Sequence, residues 1–97
     1  PANGELVVKN SSFWTPAKKW ALIPATKDNR HTIRKVMLQN LYFVKPTTKP
    51  SAVFSDIEEL TIKQLHIGGR TIEKYSSSGI PEKLENVTHF KSDFKDK

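Results

Sequence analysis

No apolar run in this sequence exceeds four residues. The longest are Trp20 to Ile23 and Leu41 to Val44, and prolines, glycines, asparagines and serines interrupt the chain between such runs. A membrane-spanning helix needs roughly 20 apolar residues in succession, so no helical span is expected. Short β-compatible runs between turn residues predict a chain built mostly from short strands.

The amount of apolar material sets the size of the core. Val, Ile, Leu and Phe make up 25 of the 97 residues, above the level of about 20% below which highly charged chains stay disordered. A chain of this length holds one domain, residues 1–97, with one modest core. It starts at Pro1 without methionine or a basic-then-apolar leader, as expected of an excised fragment or of a product whose start was trimmed. Without cysteine there is no disulfide framework, thiolate nucleophile or cysteine zinc site. Together with the lack of a leader, this favours an intracellular setting.

Glu5 to Lys9 predicts a first strand, followed by a polar turn at Asn10-Ser11-Ser12. Pro16 makes residues 14–18 a turn or edge, and Trp20 to Ile23 resumes a strand that Pro24 closes. Between Thr32 and Lys45 helical and strand periodicities compete, and the β-rich Leu41-Tyr42-Phe43-Val44 tips the balance to strand. Residues 45–50, with two prolines, predict a stiff loop, and Ala52-Val53-Phe54 a short strand after it. Gly68-Gly69 between two β-compatible runs predicts a hairpin in which Leu65 faces Ile72 and Ile62 faces Tyr75. One helical turn at 56–59 precedes it, and residues 76–80 form a loop.

Leu84, Val87, Phe90 and Phe94 then fall on one helical stripe, with acids early and lysines late, so a C-terminal helix is expected over 81–94. No internal repeat is visible. The expected architecture is mainly β, a small antiparallel sandwich or barrel with that C-terminal helix. The alternative is an α+β fold with helices near 28–40, 56–66 and 81–94.

Charge gives the functional direction. The net charge is +6, and residues 1–50 carry nine bases against two acids while residues 51–97 carry seven against eight. A one-sided basic surface attracts polyanions. Aromatic residues sit among these bases: Phe13-Trp14 before Lys18-Lys19-Trp20, and Tyr42-Phe43 before Lys45. Single-stranded nucleic acid is bound by this mixture, rings stacking on bases while cations meet phosphates. Trp20, inside an apolar run, is expected in the core, and Trp14, beside Pro16, at the surface.

The sequence therefore points to a non-catalytic domain that binds RNA or DNA through Trp14, Lys18, Lys19, Arg30, Arg34 and Lys35. The alternative is a β-sandwich assembly module of a larger complex, docking a protein partner on Leu84, Val87, Phe90 and Phe94. A third class would use Trp14 and Tyr42 as platforms for sugars. His31, His66 and His89 lack metal-ligand or relay spacing, and Ser76 to Ser78 lack the setting of a nucleophile. Within a basic cluster, His31 is the one histidine placed for acid–base work. No enzyme activity, metal or cofactor is expected.

Overall fold

The structure, a computed structural model, describes residues 4–14, 19–25, 33–45, 51–78 and 83–95. Its strands are β1 (Glu5–Phe13), β2 (Lys19–Ile23), β3 (Ile33–Phe43), β4 (Ser51–Ile67), β5 (Arg70–Ile72) and β6 (Lys83–Ser92). The one helix among the described residues, α1 (Tyr75–Ser78), is four residues long. All six strands belong to one sheet, which is curled into a half-barrel. The radius of gyration, 12.8 Å, is close to the roughly 12.5 Å of a folded chain of this length.

The direction of the strands corrects the expected architecture. β1 runs parallel to β3, β3 to β4, β4 to β6, and β2 to β4. Only β5 is antiparallel to its neighbour β4. The molecule is thus a stack of parallel layers, each layer repeating the path of the one before, and not an antiparallel sandwich or barrel.

The curl comes from single residues in the left-handed backbone region. Asn10, Asn40, Asp56, Gln64 and Asn86 have φ between 52° and 58°. Asn and Asp tolerate this region better than other side-chain-bearing residues because their short polar groups bond locally. Asn10, Asn40 and Gln64 occupy equivalent places in successive layers, and the register skips each of them. Asp56 and Asn86 form a second such corner.

The corners are tied across layers. The Asn40 Nδ2 donates to Asn10 Oδ1 at 2.7 Å, and the Asn86 Nδ2 donates to Asp56 Oδ1 at 2.7 Å. Both pairs are 30 residues apart in sequence. A layer repeat is therefore present in the structure without a visible repeat in the sequence, and the corner residues carry it.

Inside each bend the side chains stack in columns. Val36, Leu60 and Phe90 form one by register, Leu38 and Ile62 a second, Leu41 and Leu65 a third, and Phe43 and Ile67 a fourth. Phe54, Ile57, Leu60, Ile62, Leu65 and Val36 are almost fully buried. Each such side chain contributes about 1.5–3 kcal/mol of hydrophobic stabilisation. Trp20 packs into this core as expected, 5.8 Å from Phe43 and 5.7 Å from Phe54 between ring centroids. Its indole N–H donates to the Ser78 carbonyl at 2.8 Å, so α1 serves as an anchor for the buried ring.

The helix expected over 81–94 is a strand from 83 to 92, and residues 81–82 lie outside the described residues. The reason lies in the corner at Asn86. An extended strand turns alternate side chains inward, but a left-handed corner consumes an extra residue, so inward positions on either side are three apart. Leu84 and Val87 flank Asn86 in this way, as Phe54 and Ile57 flank Asp56, and Leu38 and Leu41 flank Asn40. A bent strand thereby imitates the spacing of a helix. Of the alternative helices, 28–40 is strand β3 over 33–40, with 28–32 outside the described residues, and 56–66, with the helical turn expected at 56–59, lies in β4.

The hairpin is found where the sequence placed it. Gly68 and Gly69 turn with φ of 60° and 78°, and Leu65 faces Ile72. β5 ends at Ile72, so Tyr75 begins α1 and does not pair with Ile62. Within the expected loop 76–80, residues 76–78 belong to α1, and 79–80 lie outside the described residues.

Candidate functional site

Of the six residues assigned to a nucleic-acid interface, Lys18 and Arg30 lie outside the described residues, as does His31. Lys19 opens β2, but the structure describes only its backbone. The remaining three are divided between two places. Arg34 and Lys35 sit at the start of β3, whereas Trp14 follows the far end of β1.

The start of β3 is basic in sequence and balanced in space. The Arg34 Nη2 lies 2.9 Å from the Glu5 Oε2, with side-chain exposures of 43% and 49%. Lys35 stands in register between Glu5 of β1 and Glu59 of β4, and His89 of β6 follows Glu59. That column alternates acid and base from layer to layer. An exposed ion pair of this kind is worth at most about 1 kcal/mol, yet it offsets the positive potential a phosphate would meet. Phosphate binding at Arg34 and Lys35 must therefore compete with Glu5 and Glu59.

The far end of β1 and β3 is different. Phe13 stacks on Phe43 with centroids 5.1 Å apart and planes inclined by 18°. The Val44 N–H donates to the Phe13 carbonyl at 2.9 Å and the Gly68 N–H to the Phe43 carbonyl at 2.8 Å, so three consecutive layers remain bonded there. On this fixed base Trp14 is 72% exposed. The Lys45 ammonium lies over its ring at 5.0 Å from the centroid, a cation–π contact worth about 0.5–1 kcal/mol at an exposed site.

Tyr42 lies on the outer face, in register beside Ser12, two residues before Trp14. It is partly exposed and stacks on His66 at 4.2 Å with planes 8° from parallel. The His66 Nδ1 is 3.0 Å from the Thr71 Oγ1, which orients the imidazole from β5. Val44 is exposed beside them. One corner of the molecule thus carries two outward aromatic platforms, each with a nitrogen-bearing neighbour.

Tyr42, Lys45 and His66 are the members of this corner outside the six residues that the sequence assigns to nucleic acid, Tyr42 entering only as a sugar platform. Their contacts are with residues on other layers, so spacing along the chain held no sign of them. The interleaving of Tyr42 with Lys45 was the one signal available.

The stripe assigned to a protein partner belongs mostly to the interior. Phe94 is buried, and Leu84, Val87 and Phe90 are half-buried against the core. Tyr75 meets Phe90 edge-on at 5.6 Å and Phe94 at 6.3 Å. Burial there raises the Tyr75 hydroxyl above its usual pKa.

Among the described residues no three His, Asp or Glu side chains converge as a metal-binding group. No helix among them is long and apolar enough to cross a membrane. Comparison with protein-family models, with curated proteins and with solved structures finds no match to this chain.

Proposed function

We propose that this chain is a non-catalytic nucleic-acid-binding domain whose contact surface is the aromatic corner formed by Trp14, Lys45, Tyr42 and His66. The observation that carries this reading is the exposed Trp14 ring with the Lys45 ammonium 5.0 Å from its centroid. A single strand requires both elements at one place, a flat ring for an unpaired base and a cation for the adjoining phosphate. The +6 net charge supports the same reading by raising the local concentration of a polyanion. Within it, Arg34 and Lys35 play a lesser part, since Glu5 and Glu59 stand beside them.

The test is fluorescence anisotropy of labelled single-stranded and duplex oligonucleotides at several salt concentrations. Single-strand affinity is expected to fall linearly in log salt. Trp14→Ala is expected to weaken it by about 5- to 150-fold, the equivalent of about 1–3 kcal/mol per stacked base. Lys45→Ala is expected to reduce the salt slope by roughly one. Absence of binding at low salt, or binding indifferent to Trp14→Ala, overturns the reading.

A further inference from the structure

Among the described residues β1 is an edge strand with one side open, since it pairs with β3 alone. The Gly4 carbonyl accepts from the Arg34 N–H at 2.9 Å and the Lys35 N–H at 3.3 Å, so it faces β3. Backbone groups of alternate residues in a strand turn to the same side. Leu6 and Val8 therefore also address β3, and Glu5, Val7 and Lys9 turn their N–H and C=O groups to the open side. An unpaired edge of this kind is a template for another strand.

The five residues Glu5-Leu6-Val7-Val8-Lys9 are complementary to themselves when read in reverse. Laid antiparallel against a copy, with Val7 at the centre, Glu5 faces the partner's Lys9, Leu6 faces the partner's Val8, and Val7 faces itself. The groups turned outward, those of residues 5, 7 and 9, are then the ones that meet in hydrogen-bonded pairs, giving about six new backbone bonds.

The side chains match in the same register. Glu5, Val7 and Lys9 share the outer face, so opposite charges meet across the pair. Leu6, 42% exposed at the open end of the core, packs beside the partner's Val8 on the inner face. Asn10, with φ of 52°, turns the chain at the end of this segment and fixes its length. The Ser11 hydroxyl donates to the Lys9 carbonyl at 2.9 Å, leaving that oxygen a second lone pair for an intermolecular N–H.

We propose that a second copy of this chain docks on β1, joining two half-barrels through an antiparallel β1–β1 pairing about a two-fold axis at Val7. This goes beyond the nucleic-acid reading and does not rest on it. Such an interface is isologous and closes at two subunits.

Sedimentation equilibrium of the whole chain over a wide concentration range tests it. The expected result is a reversible equilibrium between the 11.0 kDa chain and its dimer. Lys9→Glu alone sets carboxylates opposite Glu5 and should weaken dimerisation by roughly tenfold or more, as should Glu5→Lys alone. An equimolar mixture of these two variants should regain dimers, and so should the double variant E5K/K9E. Val7→Pro removes an N–H that faces the open side and not β3, and should give a folded monomer by circular dichroism.

A chain that stays monomeric into the millimolar range overturns the proposal. So does a dimer of undiminished affinity in Lys9→Glu, or an assembly that grows without closing at two. If Val7→Pro does not fold, the mixing experiment with the charge variants still decides the matter.

Discussion

The middle of the stack and its first layer are built from the same parts and differ in what covers them. Val36 and Leu60 belong to an inward column that β1 continues with Leu6. Val36 and Leu60 have no exposed surface, whereas Leu6 keeps 42%. Strand type, register and a left-handed corner are shared, so the difference comes from a neighbouring layer on one side, among the described residues, against neighbours on both. In a stacked fold each layer draws its stability largely from the layers above and below it. A layer at the end keeps the geometry of the stack and loses much of its burial.

The largest effect that would test this contrast is truncation of the same column at two heights. Leu60→Ala is expected to cost about 2–5 kcal/mol in urea unfolding, and Leu6→Ala well under half of that. Equal costs would mean that β1 is covered in solution. The dimer proposed above predicts such a convergence at high protein concentration only.

The corners allow a finer comparison. Asn40 donates its amide to Asn10 and sits between two layers, whereas Asn10 has a layer on one side among the described residues. Asn40→Ala loses that bond and, with it, the short polar group that makes the left-handed region tolerable, for about 1–3 kcal/mol in denaturant titration. Asn40→Gly keeps the backbone freedom and should recover part of that loss. Asn10→Ala should cost less than Asn40→Ala, and the reverse order would make the first layer the organising one.

The smallest effect is a flaw within the well-packed layer. Ser55 is fully buried and its hydroxyl has no hydrogen-bond partner among the described residues. Removing an unsatisfied buried polar atom relieves a desolvation cost. Ser55→Ala is expected to leave the midpoint unchanged or to raise stability by up to about 1 kcal/mol in the same titration. A loss of 1 kcal/mol or more would show that the hydroxyl is bonded in solution.

Two exposed positions illustrate what was legible in the candidate site. The proline two residues on in the sequence predicts a surface ring at Trp14, and Trp14 is the most exposed large hydrophobic residue described. The bases around Arg34 in the sequence predict a phosphate ligand, yet its guanidinium meets Glu5 on another layer. The first inference depended on local chain chemistry. The second depended on which strand lay alongside, and β1 and β3 are joined by a connection that gives no register in advance.

The sequence alone determined that the chain is mainly β, that Gly68-Gly69 makes a hairpin with Leu65 opposite Ile72, and that Trp20 is core while Trp14 is not. These follow from backbone preferences and apolar runs that act over a few residues. Only the tertiary structure decided that the strands run parallel, that Asn10 and Asn40 form one corner and Asp56 and Asn86 another, and that residues 83–92 are strand. Parallel partners lie tens of residues apart, and a corner that shifts the inward period from two to three erases the local signal separating a bent strand from a helix.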